Sequence, residues 1–147
     1  MTFGTTENKT WVEALPAERG MFTGRTFSRF HIVSAADSPT VGEIWATSDH
    51  AVEAHAHEVD ELLYILSGAI AVNGRKLGPN EVVFIPRGTA YGARVLTEEG
   101  ARVLRIELSN ASGRSEGAEY EARVWQGPLA EDGVPHLGLG SESDLNT

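Results

Sequence analysis

Two histidines and a glutamate at a fixed spacing are the residues of this chain most suited to chemistry. They are His55, His57 and Glu61, and Gly68 follows them. Side chains at positions i and i+2 of a strand project from the same face, so the two imidazoles can point at one place. An acidic kink at residues 58–60 would let Glu61 return a carboxylate to that place. Two imidazoles and one carboxylate make a facial triad, which suits Fe(II), Mn, Ni, Co or Zn and leaves coordination positions open.

The elements that must position this motif are predicted to be short strands. Apolar segments alternate with clusters of Gly, Pro, Asn, Asp and Ser, which is typical of an all-β sandwich or barrel. Asn73-Gly74 predicts a type I′ hairpin turn, because both central positions of that turn need a positive φ. One helical turn is expected within residues 10–19, where Pro16 limits its length. The predicted strands are residues 27–34, 41–47, 54–57, 61–67, 69–72, 75–77, 81–85, 91–96, 102–108 and, in the tail, 119–126.

Length, charge and composition exclude several classes of protein. The 147 residues are expected to form one domain, 1–147, with an N-terminal extension at 1–25 and a looser tail at 110–147 in which Trp125 docks on the barrel. The absence of cysteine rules out disulfides and a thiol nucleophile, and fits a cytoplasmic location. A net charge of −9 disfavours nucleic-acid binding. No apolar run is long enough for a membrane helix, and the polar start does not resemble a signal peptide.

The pattern H-x-H-x3-E-x6-G resembles the first motif of the cupin superfamily. A second stretch, residues 80–91, resembles the second cupin motif and contains its Pro-x-Gly core at Pro86 and Gly88. The resemblance covers about residues 41–108. It implies a single-domain cupin, that is, a double-stranded β-helix or jelly-roll barrel.

The resemblance also implies a function. It identifies His55, His57 and Glu61 as ligands of one divalent metal, with Fe(II) expected first and Mn, Ni, Co or Zn as alternatives. A small-molecule metalloenzyme of the oxygenase type is the leading hypothesis. A metal-assisted lyase, isomerase or cyclase, a non-catalytic small-ligand-binding module and a barrel with a vestigial site are the rivals. Cupins often dimerise through N-terminal strands, so a homodimer through residues 22–32 is expected.

Three positions depart from the cupin pattern. Asp49 and Asn80 stand where glycines are expected, and Tyr91 stands where the family usually has a fourth ligand, a histidine. Tyr91 could ligate as a phenolate, since a metal can lower its ordinary pKa of about 10. It could instead be a hydrogen-bond donor or general acid/base, or fill the cavity. Tyr91 is therefore a candidate both as a metal ligand and as a catalytic residue.

The faces of two strands remain open at this stage. Either Glu43 or its neighbour Ile44 can face the interior, because a period of two does not fix the register. Arg105 is expected outside, since the alternate positions on its strand are apolar: Leu104, Ile106 and Leu108. If the faces were reversed, Arg105 could bind a substrate carboxylate.

The remaining histidines are weaker candidates. His31 is expected to be a satisfied core or interface histidine. His50 is expected at the surface, although it lies just before the motif and could gate the mouth of a pocket. His136 would approach that mouth only if the tail folded back onto it.

Overall fold

The computed structural model describes residues 4, 10–15, 22–32, 39–108 and 121–138, which form two antiparallel sheets. The seven-stranded sheet has the order β12-β1-β3-β4-β11-β6-β9, and the five-stranded sheet has the order β2-β5-β10-β7-β8. This arrangement confirms the predicted all-β jelly roll. The strands are β1 Val12–Leu15, β2 Phe22–Thr23, β3 Thr26–Ile32, β4 Thr40–Ala46, β5 Ala51–His55, β6 Glu61–Ser67, β7 Ile70–Val72, β8 Arg75–Leu77, β9 Val82–Ile85, β10 Tyr91–Val95, β11 Ala101–Glu107 and β12 Glu121–Val124.

The N-terminal segment is a strand where a helical turn was predicted. Val12–Leu15 pairs with β3 on one side and with β12 on the other. Pairing on both sides satisfies the backbone polar groups of the segment, which a short and weakly periodic helix would do less well. The prediction was therefore wrong for these residues, and residues 16–19 lie outside the described part of the chain.

Of the other predicted strands, 61–67 and 75–77 have the predicted bounds, and the rest differ at one or both ends by one to three residues. The largest shift is at β5, which begins at Ala51 inside a predicted loop and ends at His55. His57 therefore follows the strand instead of lying on it. The two-residue β2 was missed, since it is too short to show periodicity. The loop expected at 112–117 and the frayed end expected at 141–147 lie outside the described residues.

The turns follow the residue types that the sequence provides. Asn73 and Gly74 have φ values of 48° and 81°, which confirms the predicted hairpin turn. Asn80 has a φ of 67°, so an asparagine takes the left-handed conformation at a position where the cupin motif has a glycine. Gly68 has a φ of 74°, and a Cβ there would lie 2.3 Å from the carbonyl oxygen of Gly100. Glycine is therefore required at the end of the first motif.

The seven-stranded sheet is buried on its inner face and covered on part of its outer face. Its inner face packs with the five-stranded sheet in a core that includes Ile65 and Val103, and Ile44 packs against this core. The outer face carries an aromatic cluster that is covered by the C-terminal segment. That cluster consists of Trp11, Phe27 and Val134, with Trp45, Trp125, Ala130 and Leu137 packed against it. Trp125 thus docks on the barrel as predicted.

The structure resolves the two open questions of strand facing. Ile44 is on the inner face, which leaves Glu43 on the outer face. Arg105 pairs with Leu63, a residue of the inner core, and so points inward. The prediction that Arg105 lies outside was wrong, because an apolar alternate set identifies the core face only when the other face meets water. An inward arginine is stable here because a buried carboxylate pairs with it.

Candidate functional site

The two motif histidines meet at the end of β5. His55 is the last residue of the strand, and its Nδ1 lies 2.7 Å from the carbonyl oxygen of Glu53. A carbonyl can only accept, so Nδ1–H donates and the Nε2 of His55 keeps its lone pair. The Nε2 of His57 lies 3.0 Å from that Nε2 and donates to it. Two nitrogens bound to one metal at 2.0–2.1 Å and at right angles would be about 3 Å apart, so the pair has the spacing of adjacent ligands.

His57 is held in the neutral form that binds metals. Burial lowers the pKa of His57 to about 4, and the charge of Arg105 and the ring of His55 lower it further against an opposing effect of Glu61. The imidazole is therefore uncharged at neutral pH. Its Nε2 can bind a metal once the ring proton moves to Nδ1, without the loss of an excess proton.

Glu61 is the first residue of β6, and its side chain is fully buried. Its Oε1 accepts a hydrogen bond from the hydroxyl of Tyr91 at 2.5 Å, and its Oε2 accepts one from Nε of Arg105 at 2.5 Å. Burial alone would raise the pKa of Glu61, but the charge of Arg105 and the hydrogen bond from Tyr91 hold it below its ordinary value. The carboxylate is therefore ionised and fixed in one orientation.

Tyr91 begins β10 and lies opposite His55 in the paired strands. The centroid of its ring is 4.8 Å from that of His55 and 6.0 Å from that of His57. Burial and the negative charge of Glu61 raise the pKa of Tyr91 above its ordinary value. Tyr91 is therefore a protonated hydrogen-bond donor in this arrangement, which is one of the three roles considered from the sequence.

Arg105 is a site residue that the sequence analysis considered and placed on the wrong face. Besides Glu61, it contacts Glu107, with 3.3 Å between Nη2 and Oε1. Burial alone would lower the pKa of Arg105, but the two carboxylates raise it, so its charge is permanent. Arg105 and Glu107 share one face of β11 with the core residue Val103, which shows their common direction only once the core is known.

Two of the three predicted metal ligands are placed as a metal site requires. His55 and His57 present converging nitrogens, as two of the three ligands should. The described residues contain no group of three or more His, Asp or Glu side chains placed as a ready metal cluster. Glu61, the third predicted donor, is directed to Arg105 and Tyr91, and an ionised carboxylate with one hydrogen bond on each oxygen keeps further lone pairs. The donor set therefore suits a divalent transition metal, provided that Glu61 shares its carboxylate.

A cleft on the inner face of β3, β4 and β11 lies beside Arg105. The space that it encloses is about 10 Å³. This is room for about one water molecule, so the cleft is a shallow depression beside Arg105. A Cβ at Gly42 would lie 3.2 Å from the ring of Phe30, so glycine lets that ring lie close to the sheet. The cleft is lined by Ser28, Phe30, Thr40, Gly42, Ile44, Arg105 and Glu107.

The other histidines have separate surroundings. His31 lies with its Nε2 4.0 Å from Oε1 of Glu43, on the outer face. His50 has its Nδ1 2.9 Å from the carbonyl oxygen of Thr23, and its ring lies near that of Phe22. His136 is exposed in the segment that packs on the outer face.

Comparison with known proteins gives matches in structure only, since neither a family model nor a curated protein sequence matches this chain. A cupin-like protein from Thermotoga maritima aligns with a TM-score of 0.58 and 18% identity, over 80% of this chain and 87% of its own. The polyketide cyclase RemF from Streptomyces resistomycificus aligns with a TM-score of 0.59 and 21% identity, over 90% of this chain and 89% of its own.

The chain has the cupin fold. A third match, a predicted oxalate decarboxylase from Thermotoga maritima, aligns with a TM-score of 0.59 and 19% identity, over 74% of this chain and 98% of its own. Identities this low establish the fold of the chain and leave its chemistry to the site itself. In the described part of the chain, no helix is long and apolar enough to cross a membrane.

Proposed function

We propose that this cupin binds one divalent transition metal through His55, His57 and Glu61 and acts as an enzyme on a small organic molecule. The observation that carries the proposal is the 3.0 Å separation of the two Nε2 atoms. It is supported by the low pKa of His57, which keeps that imidazole neutral. Fe(II) is the first metal to test, and Mn, Ni, Co and Zn are the alternatives.

The residues around the pair have distinct roles in this proposal. A bound metal would supply Lewis-acid chemistry or a place for oxygen and substrate to meet. Glu61 would contribute the third donor through a lone pair that its present hydrogen bonds do not use. Tyr91 would orient the substrate or move a proton, since its hydroxyl already donates to Glu61.

Oxygenase chemistry on a small organic acid, diketone or aromatic is the first reaction class to test. A metal-assisted lyase, isomerase or cyclase is the second, and the hydrogen bond between Tyr91 and Glu61 favours it. That pair can exchange a proton with a substrate without any redox step. RemF, whose fold this chain shares, is described as a polyketide cyclase, so cyclisation is one of the reactions to assay.

Metal content and oxygen uptake separate these classes. Protein purified without added metal is analysed by mass spectrometry and then assayed with a panel of small acids, diketones and aromatics. One equivalent of iron with oxygen uptake supports the oxygenase, and zinc or nickel with turnover but no oxygen uptake supports the second class. Protein that takes up none of the five metals after soaking would overturn the proposal and leave a small-ligand-binding barrel.

Two histidine variants test the ligands. We expect His57→Ala to fold and to lose the metal, because one of two converging nitrogens is removed. The matched control is His136→Ala, an exposed histidine in the segment on the outer face, which should retain the metal. Full metal content in His57→Ala would contradict the assignment. The homodimer expected from the resemblance stays a prediction, which light scattering can check.

A further inference from the structure

We propose that Arg105 is a resident cation that occupies the electrostatic place of a metal at Glu61. In this role Arg105 allows the barrel to fold whether or not a metal is bound, and it weakens metal binding by competing for the same carboxylate. The inference rests on the proposed metal function, which it deepens by naming the residue that sets metal affinity.

The negative charge of Glu61 lies in the interior of the barrel. A fully buried carboxylate is costly unless a cation compensates it. Arg105 provides that cation, with 2.5 Å between its Nε and Oε2 of Glu61. The fold therefore has its own counter-ion for Glu61.

Arg105 also competes with a metal for the carboxylate of Glu61. Arg105 and Tyr91 each donate to a different oxygen of Glu61, so a metal can reach the carboxylate only by sharing an oxygen or displacing a donor. The guanidinium charge also repels any cation placed between the imidazoles and Glu61. Both effects weaken metal binding: the repulsion depends on the charge of Arg105, and the competition at Oε2 depends on the hydrogen bond from its Nε.

The decisive variant is Arg105→Met, which keeps an apolar stem and removes the charge. Without metal we expect a lower melting temperature than that of the wild type, because Glu61 loses its counter-ion. With Co(II) we expect a larger rise in melting temperature than in the wild type and a dissociation constant about tenfold lower, the size of effect that groups around a ligand have on metal affinity. Co(II) absorption titrations give the affinity, and thermal melts with and without Co(II) give the stability.

The matched control is Arg102→Met on the same strand. Arg102 forms an ion pair with Glu43 on the outer face, with 2.6 Å between Nε and Oε2. Its loss should lower stability and leave the Co(II) affinity and the Co(II)-induced shift at their wild-type values. The comparison therefore separates the loss of an ion pair in general from the loss of the cation at Glu61.

Further variants keep the inference testable if Arg105→Met does not fold. Arg105→Lys keeps the charge without the planar guanidinium. It should bind Co(II) two- to fivefold more tightly than the wild type, a smaller gain than that of Arg105→Met because the charge remains. The double variant Arg105→Met with Glu61→Gln removes both charges, and it should fold without metal and bind Co(II) less tightly than the wild type.

The outcomes distinguish this inference from the proposed function. If the wild type binds Co(II) and neither Arg105 variant binds it more tightly, the role of Arg105 is overturned and the metal site remains. An equal gain in affinity in Arg102→Met would also overturn it. If no variant and no wild-type protein binds Co(II), the proposed metal function fails and this inference fails with it.

Discussion

Glutamates are buried on both faces of the seven-stranded sheet, but their partners differ. On the outer face each carboxylate contacts two arginines: Glu13 contacts Arg25 and Arg123, and Glu43 contacts Arg29 and Arg102. Two of these arginines also lie over aromatic rings: Arg25 over Phe27 at 5.3 Å, and Arg29 over Trp11 at 4.5 Å. These clusters lie beneath the C-terminal segment. They are suited to joining strands and holding the covering segment in place.

On the inner face the ratio of arginines to glutamates is reversed. One arginine, Arg105, contacts both Glu61 and Glu107, and the other oxygen of Glu61 is bonded by a tyrosine. The neighbours are two imidazoles, one of them kept neutral, instead of a second arginine. The difference teaches that a buried carboxylate alone does not mark a functional site. What marks it is a carboxylate whose neighbours can ligate a metal or exchange a proton.

The largest expected effect is a loss of stability from the outer face. Glu43→Gln leaves the half-buried Arg29 and Arg102 without their counter-ion, so we expect the free energy of unfolding to fall by about 3 kcal/mol, the lower end for a buried pair. Urea denaturation measures it, and the exposed Glu98→Gln is the control, with no change expected. The Co(II) affinity of the folded protein should be unchanged. A Glu43→Gln protein that folds normally and cannot bind Co(II) would reverse the roles assigned to the two faces.

The next effect comes from the inner face. Tyr91→Phe removes the hydrogen bond to Oε1 of Glu61, and a bond to a charged group contributes about 1.5–3 kcal/mol to stability. We expect a loss within that range, retained Co(II) binding and a large loss of turnover. The control is Tyr64→Phe, which removes a bond to the neutral side chain of Asn80 and should cost about 1 kcal/mol without affecting turnover.

Complete loss of Co(II) binding in Tyr91→Phe would contradict the role of Tyr91 as a donor. It would identify the tyrosine as a metal ligand instead.

The smallest effect is a pH dependence that distinguishes His57 from an ordinary histidine. Because its folded pKa of about 4 lies below the ordinary 6.5, the unfolded chain takes up the proton first as the pH falls. Stability contributed by neutral His57 is therefore present above pH 6.5 and is lost as the pH falls toward 4. Nuclear magnetic resonance of the imidazole carbons should give a midpoint near 4. A midpoint near 6.5 would show that burial does not hold the ring neutral.

Much of the fold could be predicted from local signals. The Asn73-Gly74 turn and Gly68 follow from backbone conformations that few residues adopt, so their positions are informative without tertiary context. Val12–Leu15 could not be predicted, because its strand state depends on pairing with β3 and with β12, which is distant in sequence. Pairing of that kind is invisible to periodicity in a window of ten residues.

The site was predictable only where its residues are close in sequence. His55 and His57 come together as the i, i+2 spacing indicates, even though His57 lies past the end of the strand. The position of Arg105 could not be inferred, because the outer face of its strand is also partly covered and an apolar alternate set no longer identifies the interior. The contact between Arg105 and Glu61 joins strands that are paired in space and 44 residues apart in the chain.

The central claim is that His55 and His57 are ligands of one metal ion. The most direct measurement is an anomalous difference map from a crystal soaked in Co(II) and recorded on both sides of the cobalt edge. The account predicts one peak at about 2.0–2.2 Å from the Nε2 atoms of both histidines, with Glu61 as the nearest carboxylate. A map with no peak between these rings, or with its peak at the outer glutamates, would contradict the account.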